Sequence, residues 1–314
     1  MLCDELTLYD QTCRKLYSLL AGRLPNKADL EATVTAYAYW VCTIVQRHRT
    51  AWETTIQDYA KRAVRDAENE IEAEQRELDR LRTALRAVRV NSWLLDIGAG
   101  WGRLSAVCDS LGWQTVSLEP SRLGTLLMQR SGHRRIVQAT GEALPFPAAM
   151  FSTVLVGWVL HHDAPDLDAG LILREAARVA EPGGCLVSIE PLSDGFDRLK
   201  WLQLLSTAGF SVDCSEDFYT MPQSSGDVKQ YALAVGTRLM NRHQWQCSRR
   251  IPKWDFLWGS TPNTSMSDSI GISSHPPHRQ APNRPAVQPT SLIRRLSQIG
   301  YLEGGQINVN FHPV

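Results

Sequence analysis

No two cysteines in this chain stand at C-x-x-C spacing. The seven (Cys3, Cys13, Cys42, Cys108, Cys185, Cys214 and Cys247) are scattered, as reduced small core residues are. No long hydrophobic run is present either. The longest apolar stretch, AYAYWVCTIV from Ala36 to Val45, is too short to span a bilayer and carries a threonine. No basic segment followed by an apolar one opens the sequence, so the expectation is a cytoplasmic protein with no membrane span. An excess of one charge is missing as well. With 33 basic against 33 acidic side chains there is no global field to hold nucleic acid or an anionic membrane, and no nucleic-acid partner is expected. No second cluster of His or Cys stands at ligand spacing, which leaves no expected metal site.

What is present divides the chain into three regions: 1–91, 92–237 and 238–314. The first is poor in glycine and proline and reads as helical throughout, an N-terminal arm or cap. Its last part, from Trp52, places Ile56, Ala60, Val64, Ala67, Ile71, Leu78, Leu81, Leu85 and Val88 three, four or seven apart, with charges between them. That is one long amphipathic helix. Two uses are open for it: a helix laid on the next domain, or a coiled-coil seam, at about 51–90, for a homodimer or a protein partner. The third region, from Ser260 to Ser291 above all, is rich in Ser, Pro, Asn and Gln, and the expectation is disorder. Trp245, Trp254, Phe256 and Trp258 precede it, and Arg294–Ser297 reads RRLS, a short basophilic kinase pattern.

The second region alternates apolar, β-branched runs with helical stretches. Seven runs read as strands: SWLLDIG, QTVSLE, RIVQA, STVLVGWV, GCLVSIE, FSVDC and YALAVG. Strand–helix alternation with right-handed crossovers predicts an α/β domain, a parallel sheet covered on both faces.

Within it, LLDIGAGWGR (94–103) brings Gly98, Gly100 and Gly102 together directly after the first strand. A glycine cluster between strand and helix lets the backbone and a helix N-terminus approach a ligand closely. The dinucleotide pattern G-x-G-x-x-G is not met: the third glycine comes one position early, and Arg103 stands where a small residue belongs. Asp96 ahead of the turn repels a pyrophosphate and suits a cation. A ligand with an ammonium group and an adenosine fits better than one with two phosphates. Glu119, ending QTVSLE 21 positions after Gly98, is placed to accept both ribose hydroxyls.

Residues 94 to about 190 resemble the class I S-adenosylmethionine-dependent methyltransferases, in the small-molecule branch often called type 11. LLDIGAGWGR, VSLEPS, GEALPFPAAMFSTVLVGWVLHH and LREAARVAEPGGCLVSIEP carry the resemblance, in order and at the family's spacing. It implies a Rossmann-like, mostly parallel seven-stranded sheet with one reversed strand, and S-adenosylmethionine across the carboxyl ends of the first strands. Asp96, Gly98, Ala99, Gly100 and Gly102 would then hold the methionine part, and Glu119 the ribose, with Pro120 and Ser121 opening the next helix. Thr140, Gly141 and Glu142 would flank the adenine, and Trp158, His161 and His162 would line the pocket near the sulfonium. Thr140 departs from the family, which usually carries an acid there, as do Ala148 and Ser152 at usual acidic positions.

S-adenosylmethionine brings its own activated methyl group, so the protein must chiefly align it with an acceptor and exclude water. The reading is methyl transfer by in-line displacement to a small apolar or aromatic acceptor. The alternative is a non-catalytic sensor or partner subunit that binds S-adenosylmethionine and acts through the N-terminal helices. His161 and His162 are the candidate bases. As neighbours at a strand end they are expected to point oppositely, leaving one of them to face the acceptor. Trp158 can offer its ring face to a cation. The fifth strand passes almost directly into a helix, so cover must come from the N-terminal helices, with Tyr9, Tyr17, Tyr37, Tyr39 and Trp40, and from a loop at 216–230.

Overall fold

The structure is a computed structural model that describes residues 2–24, 26–88, 93–162, 167–222 and 228–239. Trp245, Trp254, Phe256, Trp258, the Ser260–Ser291 segment and Arg294–Ser297 lie outside the described residues.

Three helices come first: α1 (Leu2–Leu20), α2 (Lys27–His48) and α3 (Trp52–Ala87). Asn26 caps α2, its side-chain oxygen accepting the Ala28 N–H at 2.9 Å. α3 runs unbroken for 36 residues. Its buried stripe includes Ala60, Ala63, Ala67, Ala73, Leu81 and Leu85, small residues giving way to large ones along the helix. The alanine half packs on α1 and α2 among Leu16, Tyr37 and Val41, and this cluster extends to Leu123 and Leu127 of the sheet domain. The leucine half packs with Leu94, Val107 and Trp113. The apolar seam is therefore used inside the chain, as a helix laid on the next domain. A boundary at residue 91 divides the sequence but not the packing, because α3 belongs to both halves.

The remaining elements alternate: β1 (Trp93–Ile97), α4 (Arg103–Ser110), β2 (Gln114–Leu118), α5 (Arg122–Arg130), β3 (Ile136–Val137), β4 (Phe151–Gly157), α6 (Ala169–Val179), β5 (Ala180–Leu192), α7 (Arg198–Thr207), β6 (Phe210–Pro222) and β7 (Val228–Arg238). They form one seven-stranded sheet in the order β3-β2-β1-β4-β5-β7-β6. β7 runs antiparallel to both its neighbours and every other pairing is parallel, giving the single reversed strand that the resemblance implied. β1 and β4 sit at the centre and are apolar on both faces: Leu94, Leu95, Val154, Leu155 and Val156 are each 0% exposed.

These strands adjust one expectation and agree with another. In its described residues, 216–222 and 228–230, the stretch expected to be a covering loop is strand. β6 continues to Pro222 and pairs with β7 across a register shift between Asp217 and Tyr219, Glu216 opposite Leu233 and Pro222 opposite Val228. Phe218 and Met221 are buried there, which is what commits the segment to the sheet. β5 does enter α7 through a short turn closed by Ser193 and Phe196, with Asp197 capping the helix, so nothing is inserted there.

Candidate active site at the carboxyl edge of the sheet

The glycine loop closes the end of β1. Gly98, Gly100 and Gly102 have φ of 73°, 58° and 90°, a region that side chains strain to enter. The Gly98 and Ala99 N–H groups both donate to the Leu118 carbonyl, at 2.9 and 3.0 Å, folding the loop back over β2. The glycines face different things. A Cβ at Gly98 would lie 2.4 Å from Val159 Cγ2, and one at Gly102 would lie 2.5 Å from His133 Nε2. Those two are needed so that protein packs against protein. Gly100 is less crowded: a Cβ there would only touch the buried Tyr39 ring of α2, at 3.8–4.0 Å.

Glu119 stands beside it at the end of β2, 5% exposed. Its Oε2 accepts the Gly100 N–H at 2.8 Å and its Oε1 the Ser121 N–H at 2.9 Å. Tyr39 Oη donates to the same carboxylate only at 3.5 Å, while its ring packs on Trp101 with centroids 4.9 Å apart. Burial pushes the Glu119 carboxyl above its ordinary range, against the pull of the two backbone donors. A carboxylate has about four acceptor positions, and two are taken by strong donors.

Asp96 does not reach the loop's outer surface. It is 1% exposed, and its Oδ2 accepts from Ser105 Oγ at 2.6 Å; Ser105 in turn lies 2.7 Å from Ser117 Oγ. The acid ties β1 to the first turn of α4, where the helix dipole favours negative charge. Burial nevertheless raises it to about 6, opposed by the Ser105 hydrogen bond. A carboxyl raised on folding contributes stability that is complete below its unfolded value and is lost as pH rises through the folded one. From about 3.8 to about 6 this amounts to about 3 kcal/mol. Asp96→Asn is therefore expected to gain stability relative to the parent as pH climbs from 4 to 8. Urea midpoints across that range measure it, and a difference that does not change with pH would exclude the assignment.

Beyond β4 the chain turns sharply. Trp158 has φ 62°, and residues 159–162 form a turn that rests on Gly98 through Val159. Glu190, at the end of β5 and 0% exposed, holds this turn. It accepts the N–H groups of Val159 (3.1 Å), Leu160 (3.0 Å) and His161 (3.4 Å), and lies 2.8 Å from His161 Nδ1. A carboxylate engaged by that many donors is acceptor only, so His161 carries its hydrogen on Nδ1 and leaves the Nε2 lone pair free. The two histidines do not point oppositely. Their rings lie 4.1 Å apart at 35°, because strand alternation ended at Gly157. His162 is pulled down to about 4, by desolvation above all and by the Arg47 and Lys229 charges, and so stays neutral near pH 7.

Arg103, the residue that broke the dinucleotide pattern, reaches back to α3. Its guanidinium meets Glu77 at 2.8 and 3.2 Å, and Glu77 also accepts the Trp158 indole N–H at 2.8 Å. Glu77 is 1% exposed. Of the remaining expected residues, Gly141 is buried against Ile172 and Ile97, Glu142 accepts the Asp168 N–H at 3.3 Å, and Pro120 and Thr140 are exposed. Trp158 is only half-buried. Sequence reading missed Glu190 and Glu77, although both left a signal. SIEP (188–191) repeats SLEP (117–120), an acid before proline at a strand end, and Glu77 sits in the apolar series Ala73, Glu77, Leu81, Leu85.

A loop of positive-φ glycines, an acid at the end of the second strand and a second acid behind the turn after the fourth define a nucleoside-binding α/β transferase. Residues 95–188 match the family described as Methyltransferase domain. The ubiquinone/menaquinone biosynthesis C-methyltransferase UbiE of Escherichia coli O1:K1 is 34% identical over 191 residues, 49% of this chain and 74% of that one. Among solved structures, a methyltransferase of Methanosarcina mazei superposes with TM-score 0.44 at 14% identity, covering 51% of this chain and 98% of its own. The 1,6-didemethyltoxoflavin-N1-methyltransferase of Burkholderia thailandensis superposes with TM-score 0.44 at 22% identity, covering 59% and 87%. The chain belongs to the class I S-adenosylmethionine-dependent methyltransferases, type-11 branch, and is an enzyme that uses S-adenosylmethionine. No described helix is long and apolar enough to cross a membrane.

The residues at the edge fit that cofactor. Beyond its two backbone donors, Glu119 is met among the described residues only by the long Tyr39 contact and the Ser121 side chain, which a vicinal diol beside Gly100 would replace.

Proposed function

We propose that this enzyme methylates a small, largely apolar or aromatic acceptor seated between α2, α3 and the carboxyl edge of the sheet, with His161 as the general base. The observation that carries the reading is the buried Glu190 carboxylate 2.8 Å from His161 Nδ1, on the turn packed against Gly98. Glu119 and the Gly98–Gly102 loop would hold the nucleoside and methionine parts, and the exposed Thr140 would flank the adenine. S-adenosylmethionine supplies an electrophilic methyl group on a sulfonium, suited to in-line displacement. Glu190 keeps His161 in one tautomer and orientation, and Nε2 takes the proton that a hydroxyl, amine or acidic carbon loses as it becomes the nucleophile. Trp40 and Tyr59, partly buried and packed on the buried Tyr37 ring, would supply apolar surface and exclude water. Of the other N-terminal aromatics, Tyr9 is buried in the helical core and Tyr17 is 41% exposed on α1.

The test pairs calorimetric titration with S-adenosylmethionine, its demethylated product and NADH with an acceptor screen that follows a labelled methyl group. Against an acceptor so found, His161→Asn is expected to lower kcat by about 10²–10⁴-fold while cofactor affinity holds. His162→Asn is expected to change kcat far less, because its ring, held down at about 4, is a weak base. Equal losses in both variants, or none in His161→Asn, would remove the base from this reading.

A further inference from the structure

Lys229 enters β7 where that strand meets the end of β5: Gln230 pairs with Leu192 and Tyr231 with Pro191, just past Glu190. Its Nζ lies 5.1 Å from the Trp158 ring centroid and 5.4 Å from that of Tyr231. The two rings are themselves 5.6 Å apart. Among the described residues this ammonium makes no ion pair and no hydrogen bond. Glu70, whose charge acts on it, is already held by Arg62 and Tyr37. A half-buried cation left on two aromatic faces without an acid is costly unless something anionic arrives.

The Trp158 ring also meets His161 edge-on, at 6.0 Å between centroids, and carries the Arg103 guanidinium at 5.8 Å, itself paired with Glu77. Lys229 and the candidate base thus both contact one indole. An aromatic molecule lying along that indole, with an acidic oxygen on Lys229, turns another part of its ring toward His161.

Resting on the reading of this edge as the acceptor site, we propose that Lys229 is its specificity determinant, binding the anionic oxygen of an aromatic acid whose ring packs on the half-buried Trp158, with the buried Tyr231 backing the site. Burial holds the Lys229 ammonium below the ordinary lysine range, with the Arg62 charge adding to the effect. An anionic ligand reverses that, so ligand and lysine stabilise one another's charged form. Arg47 and Lys229 both act on His162, which they help to keep neutral, so Arg47 adds to the positive potential on this side while His162 does not.

The probes are 1-naphthoate and its neutral isostere 1-naphthamide, titrated calorimetrically into the full chain with and without S-adenosylmethionine. The acid is expected to bind at least tenfold tighter than the amide. Lys229→Met should bring that ratio to about one while leaving amide affinity unchanged, and Lys229→Arg should restore it. A ratio near one in the parent, no detectable binding of naphthoate, or a ratio that survives Lys229→Met each overturns the proposal. Titration of the parent with S-adenosylmethionine alone is read separately. Its failure counts against the cofactor site, whereas a bound cofactor with no acid preference counts against Lys229 only. Cofactor affinity of Lys229→Met also reports that the variant is folded.

Discussion

Glu190→Gln is expected to lower stability by about 2–4 kcal/mol and to cut methyl transfer by at least the factor seen for His161→Asn. Glu190 is 0% exposed and serves as the common acceptor for three consecutive backbone N–H groups and the His161 ring. Glutamine offers one acceptor oxygen and sets an NH₂ against donors, leaving buried N–H groups without partners, each at about 1–3 kcal/mol. The turn from Trp158 to His162 then loses what fixes it, and with it the His161 tautomer. Urea unfolding measures the first effect and methyl-transfer kinetics the second. Comparison with His161→Asn separates the two roles, because that variant keeps the three backbone bonds and should cost far less stability. A Glu190→Gln midpoint equal to the parent's would show that the carboxylate is not what holds the turn.

Loss of cofactor affinity should be the second large effect. Glu119→Gln is expected to raise the dissociation constant for S-adenosylmethionine by about 100-fold, since hydrogen bonds to a charged group contribute about 1.5–3 kcal/mol each. The Gly100 and Ser121 N–H groups already occupy one side of the carboxylate, so an amide must spend its single oxygen on them. Calorimetry against S-adenosylmethionine and its demethylated product should show equal losses, because both carry the same ribose. A loss confined to one of the two, or unaltered affinity for both, would move the ribose away from Glu119. Tyr39→Phe is the accompanying control. Its 3.5 Å contact is long, and removing it should leave affinity within a few-fold of the parent.

Much of the site was legible in one dimension because the chemistry is local. The turn after β1 needs positive φ at alternate positions, and only glycine supplies that cheaply, so Gly98, Gly100 and Gly102 announce themselves. An acid directly after a strand, as Glu119 is, announces itself in the same way. Thr140 and Pro120 were named by resemblance alone, and the fold leaves both at the surface. Asp96 was read as facing a cation, yet its partner is Ser105, nine residues on, at the start of α4.

By itself, then, the sequence determined the seven strands, the covering helices and the two motifs at the carboxyl ends of β1 and β2. Each of these follows from spacing within about ten residues, where hydrophobic period and turn chemistry act. Tertiary structure alone decided what lies between motifs. It brought Glu190 under His161 across 29 positions and Glu77 to Trp158 across 81, and set Lys229 on the same indole from the reversed strand. Those meetings depend on strand order and on α3 lying over the sheet. Both are settled by burying apolar surface over the whole domain, a long-range condition that no local pattern records.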